Sequence, residues 1–104
     1  MIIRIGRAKG NDFVVDNLTV SRDHAVLEIV DGQIILRDTG SRSGTYVIEN
    51  GRVERTTYKA VSEDDTILVG NESLRVKTII EQASRKNRAA VYERNPITGE
   101  IVKK

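Results

Sequence analysis

Along the first 80 residues, apolar side chains alternate with polar ones in short runs that Gly, Asn and Asp interrupt. A period of two puts successive side chains on opposite faces, so each run predicts a strand with one face toward a core. The clearest run is Ala25-Val26-Leu27-Glu28-Ile29, where Ala25, Leu27 and Ile29 share a face, and Asp31-Gly32 follows as a two-residue hairpin turn. The return run, Gln33 to Asp38, sets Ile34 and Leu36 against Arg37 on the other face, as in a half-buried antiparallel pair. Ile2 to Ile5, Phe13 to Val15, Thr45 to Ile48, Thr66 to Val69 and Ser73 to Ile79 are further strands, with Asn50-Gly51 and Gly70-Asn71 as turns. So many short strands predict an all-β sandwich or barrel.

After Ile80 the pattern changes. Glu81 to Arg94 holds helix-compatible residues without a clear apolar stripe, and the residue before Pro96 is pushed away from helical geometry. The expected division is a β domain over residues 1–80 and a basic tail over 81–104, either a short helix or flexible. Charge agrees with that division: residues 1–80 hold 11 Lys/Arg and 12 Asp/Glu, residues 81–104 hold 6 and 3, and the net charge of +2 therefore arises in the tail. A near-neutral body with a short basic tail argues against nucleic acid as the partner.

A chain of 104 residues has room for one compact domain. Without cysteine there is no disulfide, thiolate metal site or thiol nucleophile, and the single His24 cannot build a multi-histidine metal site, so no metal or cofactor is expected. The N-terminal apolar run is too short for a signal-peptide core, and no stretch approaches the roughly 20 apolar residues of a membrane helix. The expectation is a soluble, cytoplasmic protein with no membrane partner.

Three loop segments carry candidate chemistry. Gly6-Arg7 follows the first strand, so Arg7 either presents a guanidinium fork to a ligand or sits in an ordinary surface salt bridge. Ser21-Arg22-Asp23-His24 precedes a strand and reads either as nucleophile and base or as a loop braced by a neutral imidazole with one donor and one acceptor. Nucleophilic catalysis also needs a group to orient the base and donors for an oxyanion, and no nucleophile-elbow sequence is present. Thr39-Gly40-Ser41-Arg42-Ser43-Gly44-Thr45, rich in hydroxyls and glycine, resembles an anion-binding loop and is equally the composition of a turn. A phosphatase would bind phosphate too, but it lacks a cysteine nucleophile or a convincing metal cluster here, and no enzyme is expected.

Taken in order, Ile5-Gly6-Arg7, Asn11-Asp12-Phe13-Val14-Val15-Asp16, Val20-Ser21-Arg22-Asp23-His24-Ala25-Val26-Leu27, Asp38, Gly40-Ser41, Gly44-Thr45 and Asp65-Thr66-Ile67-Leu68-Val69-Gly70 resemble the forkhead-associated (FHA) domain. Each motif is weak, and the ordered set, spanning residues 2 to about 79, is specific. The resemblance implies an FHA-type (SMAD/FHA-like) β-sandwich of about eleven short strands in two packed sheets, with a binding site in the loops at one end.

It also implies recognition of phosphothreonine in a partner protein or peptide, the product of a Ser/Thr kinase. Arg7 matches the phosphate-contacting arginine, Ser21 the hydroxyl that donates to phosphate, Arg22 the variable neighbour adding a contact, and His24 the loop brace. Arg42, Ser43 and Thr45 complete the expected phosphopeptide-binding set, with Gly6, Asn11, His24 and Gly44 as structural support. Two departures stand out: Ser43 occupies the position where the family usually has Asn, and Ile48-Glu49 lengthens the hairpin before Asn50-Gly51. The alternative reading is a domain that keeps the fold and binds partners without phosphate. Thr98 in the tail is a conceivable self-recognition site.

Overall fold

The alternating runs form the strands of the computed structural model, which describes residues 1–91. In chain order these are β1 (Ile2–Gly6), β2 (Phe13–Val14), β3 (Ala25–Val30), β4 (Gln33–Asp38), β5 (Thr45–Glu49), β6 (Arg52–Arg55), β7 (Tyr58–Val61), β8 (Thr66–Val69) and β9 (Glu72–Arg75), followed by one helix, α1 (Val76–Val91). They make a five-stranded sheet in the order β2-β1-β3-β4-β7 and a four-stranded sheet in the order β6-β5-β8-β9. All pairings are antiparallel except β1 with β2.

Register explains the core. Leu27 lies opposite Ile3 on one side and Leu36 on the other, so one row of the larger sheet is apolar across three strands. Val47 opposite Ile67 gives the facing row of the smaller sheet. These residues, with Ile5, Ala25 and Val69, are buried together between the sheets. Burying each Leu, Ile or Val side chain contributes about 1.5–3 kcal/mol, and this layer holds the two sheets face to face. Asp31-Gly32 and Asn50-Gly51 both turn with positive φ at each residue (51° and 78° in both cases), the hairpin geometry that such pairs favour.

Three features differ from the sequence expectation. The described residues hold nine strands where about eleven are implied. Two of the nine, β6 and β7, are edge strands that no sequence run announces: β6 is exposed at every position, so it carries no buried alternation to read. The expected strand from Ser73 to Ile79 stops at Arg75, and α1 begins at Val76. From there the apolar spacing changes from two to three and four, at Val76, Ile79, Ile80 and Ala83, a helical stripe. Val76, Ile79 and Ala83 join the core, and α1 packs against the edge strands β2 and β9. The helix therefore runs across the expected boundary between residues 1–80 and the tail at 81–104. Residues 92–104, including Pro96 and Thr98, lie outside the described residues. Among the described residues no helix is long and apolar enough to cross a membrane.

Pairing also gathers the loops. Gly6 ends β1, Ala25 opens β3 opposite Asp38 at the end of β4, and Thr45 opens β5 opposite Val69 at the end of β8. The connections 7–12, 15–24, 39–44 and 70–71 thus meet at one end of the sandwich.

Candidate functional site

Gly6 sets the spacing of this end. A Cβ on it would stand 2.1 Å from the Arg22 carbonyl oxygen, so only glycine lets the 20–24 segment lie against the end of β1. In that approach Arg7 N–H donates to Ser21 O at 2.9 Å, Ala8 N–H to Arg22 O at 3.2 Å and His24 N–H to Ile5 O at 2.9 Å. Buried Asn11 locks the arrangement, its Nδ2 donating to Arg22 O at 2.7 Å and to Ala8 O at 3.0 Å.

His24 is fully buried and joins two loops. Its Nδ1 accepts the Ser21 N–H at 3.0 Å, and its Nε2 lies 2.8 Å from Gly44 O. An amide N–H can only donate and a carbonyl can only accept, so the partners assign the proton to Nε2. With both ring nitrogens taken by backbone groups, the imidazole cannot act as base toward the Ser21 hydroxyl. The nucleophile-and-base alternative therefore has no geometric support, and His24 is the brace.

The 39–44 loop is organised from behind by Asp38. Its Oδ1 accepts the N–H groups of Gly40 (2.6 Å) and Ser41 (2.8 Å), and its Oδ2 accepts the hydroxyls of Ser41 (2.5 Å) and Thr45 (2.7 Å). Burial alone would raise the pKa of this carboxyl, but the Ser41 and Thr45 hydroxyls and the Ser41 and Gly40 N–H groups outweigh it and hold the value down at about 2. Ser41 Oγ in turn accepts the Gly44 N–H at 3.0 Å, which closes the loop. Gly44 takes a φ of 91°, open to glycine at little cost.

On the open side, Ser21 Oγ accepts the backbone N–H of Arg42 at 3.0 Å, so its own proton remains available to a ligand. Arg7, half-buried, uses Nε to hold Val20 O at 3.0 Å, and its terminal guanidinium nitrogens have no partner among the described residues. Arg22 and Arg42 are exposed. The ion pairs among the described residues, Arg4 with Asp12, Arg37 with Glu28 and Lys59 with Glu49, include none of these three arginines.

Two expected ligand contacts sit differently. Thr45 is fully buried with its hydroxyl on Asp38, which puts it among the supporting residues. Ser43 donates its hydroxyl proton to Thr19 O at 2.7 Å, so toward a ligand it offers an acceptor only.

Sequence reasoning passed over Asn17, Thr19 and Arg55. Asn17 Oδ1 accepts from Thr19 N (2.8 Å) and Thr19 Oγ1 (2.6 Å), an Asx-type turn that the Asn-Leu-Thr spacing could have signalled. Its Nδ2 reaches Asn71 Oδ1 at 2.7 Å and Glu72 Oε2 at 2.9 Å, tying the 15–24 loop to the turn before β9. Arg55 belongs to an edge strand, and its place against Gly44 has no local sequence signal.

A hydroxyl donor flanked by unpaired guanidiniums, on loops fixed from behind, suits a tetrahedral oxyanion such as phosphate. A charge-assisted hydrogen bond to one contributes about 1.5–3 kcal/mol, so two or three support reversible binding.

The FHA domain family model matches residues 3–70. The chain is 38% identical over 72 residues to an ABC transporter ATP-binding/permease protein from Mycobacterium tuberculosis, a match covering 69% of this chain and 8% of that protein. Among solved structures, one from a structural and functional study of phosphothreonine-dependent FHA domain interactions is similar with a TM-score of 0.62 at 25% identity, covering 69% of this chain and 71% of that one. Mycobacterium tuberculosis EmbR in complex with a low-affinity phosphopeptide is similar with a TM-score of 0.63 at 27% identity, covering 71% of this chain and 19% of that one.

Proposed function

This chain belongs to the FHA domain family, and from that membership we propose that it is a phosphothreonine-dependent interaction module whose partner is a threonine-phosphorylated protein or peptide, the substrate of a Ser/Thr kinase. The observation that carries the reading is the state of Ser21: its oxygen accepts the Arg42 N–H while its proton stays unengaged, beside the unpartnered end of Arg7. A phosphate near dianionic at neutral pH offers acceptors and no donors, which complements this set. The two structural relatives concern phosphothreonine-dependent interactions and a phosphopeptide complex, which supports the same ligand class.

Calorimetry with matched phosphothreonine and threonine peptides tests the proposal. The phosphorylated peptide binds and the unphosphorylated one does not; equal, weak binding of both would favour the phosphate-independent scaffold. Ser21→Ala removes one charge-assisted donor and weakens phosphopeptide binding by about 10-fold or more, corresponding to at least about 1.5 kcal/mol.

A further inference from the structure

Arg55 ends the edge strand β6, opposite Tyr46 of β5, and Thr56 N–H to Thr45 O at 2.9 Å closes the pair there. Its guanidinium does not extend into solvent alone. A Cβ built on Gly44 would meet Arg55 Nε at 3.0 Å, Cζ at 3.1 Å and Nη2 at 3.2 Å, so the arginine head occupies the space left by the missing side chain of Gly44. Beside it the Tyr46 hydroxyl reaches Ser43 O at 3.3 Å. Arg55 thus lies over the outer side of the 39–44 loop, whose inner side presents Arg42 N–H to Ser21.

The charge is unmatched. Arg55 makes no ion pair among the described residues. Neighbouring Glu54 alternates to the opposite face of the strand, and Glu49 is paired with Lys59. Asp38, on the far side of the loop, already accepts from Gly40, Ser41 and Thr45. An exposed guanidinium without an ion pair among the described residues, packed against a loop that lines the candidate site, is suited to a second anion.

We propose that Arg55 forms a second anion-binding subsite, taking an acidic group on the same peptide whose phosphothreonine occupies the Ser21 site. The chemistry is an oxyanion held by the guanidinium fork, and a carboxylate or a second phosphate can supply it. The inference rests on the phosphothreonine reading and adds a preference that this reading alone does not require.

The test measures three peptide sets by calorimetry: a phosphothreonine peptide with neutral flanks, the same peptide with Glu placed at each flanking position in turn, and the same peptide with a second phosphothreonine at those positions. Wild-type protein binds at least one acidic variant about 3- to 10-fold tighter than the neutral peptide, and the gain falls as salt is raised. Comparison of the Glu and phosphothreonine arms identifies which anion the subsite takes. Arg55→Gln removes the gain while holding the neutral phosphopeptide within twofold of wild type. A wild-type protein that binds the neutral phosphopeptide without any acidic gain, or a gain that survives Arg55→Gln, overturns the subsite and leaves the phosphothreonine reading standing. Failure of every phosphorylated peptide to bind overturns both.

Discussion

Replacing Asp38 with Asn keeps the size of the side chain and removes its charge. The Gly40 and Ser41 N–H groups on Oδ1 cannot reverse direction, so the amide oxygen must stay with them and Nδ2 must face the hydroxyls of Ser41 and Thr45. Those hydroxyls then turn from donating to accepting, although Ser41 Oγ already accepts from Gly44 N–H. Hydrogen bonding holds the carboxyl at about 2 against an ordinary value of 3.8. At about 1.4 kcal/mol per pH unit this sets a ceiling near 2.5 kcal/mol, which solvent screening at a partly exposed loop reduces to about 1–2 kcal/mol. Rearranged hydroxyl geometry adds about 1 kcal/mol. Asp38→Asn therefore loses about 2–3 kcal/mol at pH 7 and, in a domain of this size, roughly 8–20 °C in Tm. Because the folded-state pKa is depressed, the contribution is complete above about pH 4 and disappears as pH falls toward 2. Urea denaturation of both proteins should give a gap that is constant from about pH 7 to 5 and narrows below about pH 4. A loss under about 0.5 kcal/mol at pH 7, or a gap unchanged down to pH 2, would refute this account of the loop.

Other substitutions separate support from ligand contact. His24→Ala leaves the Ser21 N–H and the buried Gly44 carbonyl unpaired around a cavity and should cost about 2–4 kcal/mol in urea denaturation; an unchanged melt removes the brace. Gly6→Ala forces the Arg22 carbonyl away and should cost at least about 2 kcal/mol, whereas Gly10→Ala, with nothing within 4 Å of the added methyl, should stay within about 0.5 kcal/mol. Arg7→Glu should abolish phosphopeptide binding in calorimetry and, through the lost bond to Val20 O, cost about 0.5–1.5 kcal/mol of stability; retained affinity refutes its place at the phosphate.

The central hairpin from Ala25 to Asp38 was legible because its alternation is buried on one side and its turn demands residues tolerant of positive φ. The order of Arg7, Ser21 and His24 was legible through its resemblance to the FHA motifs, although bonds that place them join residues 13 to 21 positions apart. What escaped lacked such local signatures. The helical stripe begins at Val76, inside a segment whose preceding residues still alternate, so a boundary at residue 80 cut it in two. Thr45 and Ser43 look alike as loop hydroxyls, and only the position of Asp38 behind the loop and of Thr19 beside it decides that each proton is already engaged. Arg55 lies one hairpin away, on a strand exposed at every position, and the β5–β6 register set by the Asn50-Gly51 turn brings it to Gly44.

These particulars imply a division of labour that has consequences for how the domain evolves and fails. The loops are joined by His24, Asn11, Asp38 and Asn17, which act through hydrogen bonds to backbone groups, hydroxyls, an amide and the Glu72 carboxylate, and through no arginine head. None of Arg7, Arg22, Arg42 and Arg55 belongs to an ion pair among the described residues. Had the loops been tied together by those arginines, an anionic ligand would have had to break an internal ion pair before binding, weakening its own affinity. Separation also makes the two functions mutable independently: the exposed heads of Arg22, Arg42 and Arg55 can change which peptide is preferred at little cost in stability, since exposed side chains outside special contacts shift it by about 0.5 kcal/mol or less. Among the four arginines Arg7 couples the two, with one nitrogen holding Val20 and the rest of its fork open, and there loss of binding and loss of stability should appear together.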